Sequence, residues 1–413
     1  MMFNKDLWCF YYLVLGLLFC IIGFSSLSVG TGIYFLGFKF DYLYFYLSFL
    51  VLLIFVFVVV FGSFTSSLNL FFLGLSCVSC LLSFCSCHSI WFWGFYELSI
   101  VFILFLIYLD SPYSDRFVAG WYLLLYSVFC GVPLLVLLFY FSFISGTYNY
   151  FFWSLDEDFS ILIFLVLLIF CTEIPLPPFH SWLPVVHAEA STLVSICLSG
   201  YIMKLGVVGL LRFCLVIVGD YYFFYYLSFC LIFSCLMFLW GSEEIDYKRW
   251  LAVLSVSHII ICVLCLFPFS VFSGVFNCLL FSVGHGFAAG YFFFVIYYLE
   301  VLGGGRLVVN TSLVVGWSWS MIWFIVVGFF LVGSVPPFVN FFIELWLLGL
   351  FILNNNVWFI LCFLFYLLFS SLVPLYNLGL GYTRRMGFFI GGSLYSFGMG
   401  FIIFFVILFL LLI

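Results

Sequence analysis

Six ionisable side chains stand in stretches that otherwise carry almost no charge. Glu97 lies in Trp93-Gly-Phe-Tyr-Glu97-Leu, Glu173 just ahead of Pro175, and Lys204 in Ser199-Gly-Tyr-Ile-Met-Lys204. His258 follows Ser255-Val-Ser257, His285 is flanked by Gly284 and Gly286, and Glu344 comes after Pro336-Pro337. Inside a bilayer a charged group costs roughly 2.5 to 3.5 kcal/mol on insertion scales. Taken singly, each has a structural explanation: snorkelling, a helix-end contact or a satisfied histidine. Six such groups on six spans at similar depth form the chain of acid, amine and imidazole that proton pathways use, with water between them. Burial and neighbouring charge tune their proton affinities towards one another, so protons exchange at small driving force.

The elements that must hold these groups follow from composition. Of 413 residues, 68% are hydrophobic and 6% charged, against roughly a quarter charged in soluble domains. Ten basic and 16 acidic side chains cannot cover a water-facing surface, which excludes a soluble globule, disorder and a secreted disulfide scaffold. At about 20 apolar residues per crossing, the chain is an all-α polytopic membrane protein of about 13 transmembrane helices. The spans are 7–24, 42–62, 68–87, 90–109, 119–144, 159–187, 191–213, 221–241, 250–267, 272–299, 313–350, 357–378 and 389–413. Runs this long and continuous are helices, because lipid offers the backbone no partner.

Other chemistry is lacking. No basic patch supports nucleic-acid binding, and there is no nucleophile triad, Walker loop or dinucleotide fingerprint. Gly303-Gly-Gly305 reads as a turn. The 16 cysteines mostly sit in apolar runs as small hydrophobes. The dense group Cys77, Cys80, Cys85, Cys87 and His88 could in principle hold a metal, but no second half-site follows, and small-residue helix packing accounts for it; no metal ligand is assigned. Met1 to Asp6 runs straight into apolar sequence, without a cleavable signal or transit peptide. The absence of Gln, the few Ala and the abundance of Phe, Leu, Val, Cys, Gly and Trp suggest T- and G-rich codons. We take this as the mark of an organelle-encoded protein; balanced codons in the gene would refute it.

Two spans look broken. The sixth runs into Glu173-Ile-Pro-Leu-Pro-Pro-Phe-His180, and the eleventh contains Gly333-Ser-Val-Pro-Pro337. Proline cannot donate to the helix ladder, so each motif ends one half-helix and starts another. Proline tolerated in a membrane helix is the plainer reading, but both breaks lie beside a carboxylate. They are five spans apart, which implies two repeats of opposite orientation meeting at a transport site. The repeats run over 68–213 and 221–378, followed by a C-terminal helix over 389–413. By loop, Lys5, Arg116, Lys248, Arg249, Arg306, Arg384 and Arg385 fall on one side, and only Lys39 and Arg212 on the other. The positive-inside rule then puts the N-terminus on the cytoplasmic or matrix side and the C-terminus opposite.

At these residues the sequence resembles the antiporter-like membrane subunits of NADH:ubiquinone oxidoreductase, respiratory complex I. The strongest stretch is Pro175-Leu-Pro-Pro-Phe-His-Ser-Trp-Leu-Pro-Val-Val-His-Ala-Glu-Ala190, followed by Met203-Lys-Leu-Gly-Val-Val-Gly-Leu-Leu-Arg212. Phe95-Tyr-Glu97, Asp115-Arg-Phe-Val-Ala-Gly120, Asp246-Tyr-Lys248, Gly284-His285-Gly286 and Pro336-Pro-Phe-Val-Asn340 follow the family in order. His187-Ala-Glu-Ala190 favours the chain 4 branch over its sisters, chains 2 and 5. The resemblance implies a proton relay through Glu97, Glu173, Lys204, Lys248, His258, His285 and Glu344, with Glu344 facing the exit. It implies a mitochondrial inner-membrane subunit with no redox cofactor of its own; NADH, FMN, iron–sulfur clusters and ubiquinone belong to other subunits. Partners would be the remaining membrane-arm chains, 2 and 5 above all, and lipids, cardiolipin among them.

Three departures from the family stand out. Glu173 occupies the place of a family lysine, 31 residues before Lys204, which couples two acids through a shared proton and leaves Lys204 as their common counter-charge. Ser191 replaces a proline, and one N-terminal helix of the family's fourteen is missing. Two alternatives remain: an Mrp-type sodium/proton antiporter subunit, and a structural complex I subunit whose pump has decayed.

Overall fold

The computed structural model describes residues 32–35, 37–61, 66–153, 160–215, 221–266, 271–301, 305–307 and 319–383. The expected spans 7–24 and 389–413, with Lys5, Arg384, Arg385 and the acidic Asp156–Asp158 loop, lie outside those residues. Every expected span between them is helical. A short hairpin, β1 (Ile33–Phe35) and β2 (Phe38–Phe40), precedes α1 (Tyr42–Phe61), α2 (Ser67–Cys85), α3 (Ser89–Asp110) and α4 (Arg116–Ser145). The sixth span is split into α5 (Ser160–Glu173) and α6 (Trp182–Glu189). The seventh is α7 (Thr192–Cys197) and α8 (Met203–Phe213), joined by a π-helical turn over Leu198–Ile202. Next come α9 (Tyr221–Glu243), α10 (Tyr247–Leu264) and α11 (Val271–Val301). The eleventh span is split into α12 (Trp319–Val332) and α13 (Val339–Leu353), and α14 (Val357–Thr383) follows. Among the described residues nine helical stretches are long and apolar enough to cross a membrane.

Burial sorts these helices into an inner and an outer set. The Thr192–Phe213 stretch is wholly buried and α10 is 94% buried, against 33% for α4. Outward-facing α4 shows Phe129 and Phe143 to its surroundings, as a lipid- or neighbour-facing helix must. The inner stretches carry Lys204, His258 and His285. Polar groups costly in lipid are thus placed where other helices surround them.

The two breaks are built alike, bond for bond, at a constant offset of 159 residues. In the first, Ile174 N–H reaches Phe170 O, Leu176 N–H reaches Cys171 O and Phe179 N–H reaches Leu176 O. In the second, Gly333, Val335 and Phe338 bond Phe329, Phe330 and Val335 in the same way. The Pro177–Pro178 and Pro336–Pro337 bonds are cis in both. An odd separation of five spans means that the chain runs through the two breaks in opposite directions. The expected pair of inverted repeats, each with a broken helix, is therefore carried by the backbone itself.

Small residues close the contacts around the first break. A Cβ on Gly209 would meet the Phe170 ring at 2.1 Å, and one on Gly206 would meet Ile174 at 2.7 Å, so α8 lies backbone-close to α5. Trp182 Nε1 donates to Thr172 O at 3.1 Å, tying α6 back to the end of α5.

Charges outside the span interiors gather at helix ends in two groups. At one end Arg212 donates to both Asp41 oxygens, at 2.5 and 3.0 Å, with Lys39 Nζ 3.8 Å away. At another, Lys248 Nζ lies 3.2 Å from Glu300, and Arg306 Nε lies 2.8 Å from Asp246. Tyr113 joins the second group, donating to Glu300 at 3.1 Å and accepting from Lys248 at 3.1 Å. Burial, with Glu300 adding to it, pushes the Tyr113 phenol well above its ordinary range, so it stays a donor. Each group pins loops that are distant in sequence.

Candidate functional site

The second repeat holds a nearly continuous string of titratable groups. Lys204 sits one residue after the π-helical turn, and its Nζ donates to Ser199 O at 2.8 Å. Such turns recur at functional positions because they free a backbone carbonyl for a partner outside the ladder. The same amine stands 2.9 Å from His285 Nδ1. The rings of His285 and His258 have centroids 6.3 Å apart and line one small cavity together with Ser255 and Asn340. His258 Nδ1 is 2.7 Å from the Tyr366 hydroxyl, which donates to Glu344 Oε1 at 3.3 Å. All five side chains are buried.

Glycines make room for this string. A Cβ on Gly284 would fall 2.0 Å from Asn340 Oδ1, and one on Gly286 would fall 2.8 Å from Leu50. His285 is therefore clamped between α13 on one side and α1 on the other. Asn340 Oδ1 and His258 Nε2 are buried without a protein partner. These are the polar atoms a bound water between the two histidines would need.

The first repeat is different in kind. Glu173 is buried at the end of α5, Glu97 is half-buried on α3, and the two carboxyls are within electrostatic reach of each other. Cys130, whose thiol meets the Thr172 hydroxyl at 2.9 Å, feels both acids. Tyr96 lies close to Glu173 without completing a hydrogen bond. Among the described residues neither carboxylate has an ion-pair partner. The counter-charge expected from Lys204 goes elsewhere, since its amine is engaged by Ser199 and His285. Two buried acids without a cation hold one proton between them more readily than two charges.

Glu97 depends on one glycine. A Cβ on Gly131 would lie 1.8 Å from Glu97 Oε1, and Trp93 Nε1 fixes the same α4 turn by donating to Gly131 O at 2.8 Å. Gly131→Ala is expected to lower thermal stability by about 1–3 kcal/mol, the usual range for overpacking. A thermal unfolding scan in detergent with an unchanged midpoint would show that the carboxylate swings away at no cost.

The remaining expected positions fall apart from the string. Lys248 is ten residues before His258 on α10, about 15 Å at the helical rise. Its amine is held by Glu300, Tyr113 and Ala190 O at 3.1 Å. Cys77, Cys80, Cys85, Cys87 and His88 do not converge; among the described residues no three metal-type side chains do. Cys85 bonds its own helix, and His88 is stacked between Trp91 and Tyr148 at 5.2 and 5.0 Å. Tyr366 is the participant that reasoning on charge misses, because it is one of 27 tyrosines and carries no charge. Its signal is positional: α14 lies five spans after the Lys204 span, so Tyr366 stands where the repeat places Lys204.

Every member of the string lies between Ser86 and Ser370, and that interval is matched by a known family. The family model described as "NADH:quinone oxidoreductase/Mrp antiporter, TM" covers residues 86–370. The chain belongs to this family. Among antiporter-family relatives, NADH-ubiquinone oxidoreductase chain 4 of Locusta migratoria is 30% identical over 308 residues. That match covers 71% of this chain and 66% of the locust protein, so the chain spans just under two thirds of that relative's length. A chain of respiratory complex I from Thermus thermophilus with bound NADH is similar in fold, with a TM-score of 0.80 at 19% identity, covering 98% of this chain and 91% of that one. A chain of the Mrp complex from Dietzia is also similar, with a TM-score of 0.79 at 17% identity over 94% of this chain and 76% of its own. The antiporter-family fold thus extends over nearly the whole chain, beyond the interval matched in sequence.

Proposed function

We propose that the chain is a proton-translocating membrane-arm subunit of an NADH:ubiquinone oxidoreductase of the chain 4 type. The observation that carries this reading is the string Lys204–His285–His258–Tyr366–Glu344 on the inner helices, with hydrogen-bond distances on either side of a single gap. A chain of buried acid, amine and imidazole moves protons; it offers no site for a redox cofactor. Quinone reduction in other subunits would drive it, and the flavin, iron–sulfur clusters, NADH and ubiquinone would be bound there. In that reading the chain is a component of an oxidoreductase complex, and Glu97 and Glu173 pass a shared proton into the first repeat. Lys248 would mark the loop-side end of the path. The repeats run over 68–213 and 221–378.

The locust relative's name and the codon-skewed composition favour the mitochondrial inner membrane. The excess of Lys and Arg on the Arg116, Lys248 and Arg306 side favours that side as the matrix. Purification of the native chain tests the assignment. Co-migration with a flavin- and iron–sulfur-containing assembly, and with chains 2 and 5, is expected. Migration with a cofactor-free cation/proton exchanger would replace it with the Mrp-type reading, which the family's breadth supports.

A further inference from the structure

We propose that Tyr366 is a proton-transferring residue, passing a proton from His258 to Glu344 through its hydroxyl. The inference rests on the translocation reading above and assigns one step within it.

Hydrogen-bond direction supplies the first argument. A phenol hydroxyl has one hydrogen. Donated to Glu344 Oε1 at 3.3 Å, it leaves the oxygen as acceptor for His258 Nδ1 at 2.7 Å. His258 then carries its proton on Nδ1, and its buried, unpartnered Nε2 is free to accept from the side of His285. At the other end, the Lys204 ammonium donates to His285 Nδ1, which puts the His285 proton on Nε2. Every donor therefore points from Lys204 towards Glu344. In the transfer itself the Tyr366 oxygen takes the His258 Nδ1 proton while its own hydrogen passes to Glu344. The O–H bond that breaks is replaced by the one that forms, and Tyr366 ends neutral, as it began.

The alternatives around the ring support the assignment. Tyr366 is fully buried among Phe238 and Phe363, which offer no proton. Among the described residues no other side chain is hydrogen-bonded to both His258 and Glu344. The repeat gives an independent argument. With its five-span offset, α14 corresponds to α8, and the position 159 residues after Lys204 is Phe363, one helical turn from Tyr366. The second repeat thus sets a neutral hydroxyl where the first sets an amine.

The test is Tyr366→Phe in the assembled complex, reading proton translocation in sealed vesicles alongside Glu344→Gln and the double variant. The phenylalanine keeps the ring packing and removes only the hydroxyl. We expect Y366F to slow translocation at least about tenfold, within the range for a positioned proton donor, with the thermal midpoint unchanged. The double variant should be no slower than E344Q alone. Normal translocation in Y366F with loss in E344Q overturns the assignment and leaves the translocation reading standing. Normal translocation in both variants removes that reading as well. If Y366F does not assemble, Tyr366→His is read by its pH profile. An imidazole titrating near 6.5 in place of a phenol near 10 should move the translocation optimum towards neutrality, and an unmoved profile overturns the proposal.

Discussion

Lys204→Ala is expected to lower proton-coupled NADH:ubiquinone turnover by at least about tenfold. The amine is the end of the string with the most partners. Its loss strips His285 Nδ1 of its donor and Ser199 O, freed by the π-helical turn, of its acceptor role. A positioned proton-transfer group contributes about 10²–10⁴-fold to the step it serves. Removal of one link from a series path should therefore cost more than removal of any packing residue nearby. The measurement is protons moved per electron in vesicles containing the intact complex. A ratio equal to that of the unmodified complex would sink the relay reading and favour a chain whose pump has decayed. Glu173 is the feature that keeps that alternative in play.

The second large effect concerns stability. Arg212→Leu leaves the Asp41 carboxylate, only 16% exposed, with Lys39 at 3.8 Å as its remaining cation. Breaking a buried pair from one side costs about 3–5 kcal/mol, and with Lys39 still present the lower end, about 3 kcal/mol, is expected. The double variant with Asp41→Asn should recover much of it, and thermal unfolding of the solubilised complex reads both. Acid acts on the same site. Burial alone would raise the Asp41 carboxyl, but Arg212, a hydrogen bond from Tyr44 N–H and Lys39 outweigh it and hold it below its ordinary value. A carboxyl depressed in the folded state stabilises fully above its unfolded pKa of about 3.9. That stability is lost as pH falls through the lower folded value. The unmodified chain should lose this contribution only below about pH 4, and Asp41→Asn should flatten that part of the curve. An identical acid limb in both would show that the pair contributes nothing.

How much of this could be read from the sequence depended on the kind of signal. Spans were legible because lipid forces long apolar runs, and α1 to α14 fall where those runs lie. The breaks were legible because proline doublets cannot continue a ladder. Lys204, His258, His285 and Glu344 stood out because charge or imidazole is rare in such runs, and the fold does bring these four together. Tyr366 did not stand out: a phenol is an ordinary membrane residue until its partners are known. Nor did the winding of Leu198–Ile202, since α and π turns share one apolar pattern. The Asp41–Arg212 pair spans 171 residues and needed the packed fold. Lys204 was expected to serve the two acids. The fold points it to His285 because the carbonyl exposed by the π-helical turn captures its amine.

That turn has a mechanical corollary. A π-helical turn accommodates about one more residue than the α-helical turn it replaces. Rewinding Leu198–Ile202 as α-helix would rotate all that follows by about 100° relative to what precedes, the angle per residue at 3.6 residues per turn. The bearing of the Lys204 amine is thus set by the pitch of five residues rather than by its own rotamer. Relaxing that pitch would uncouple the string at its lysine while every other side chain kept its place.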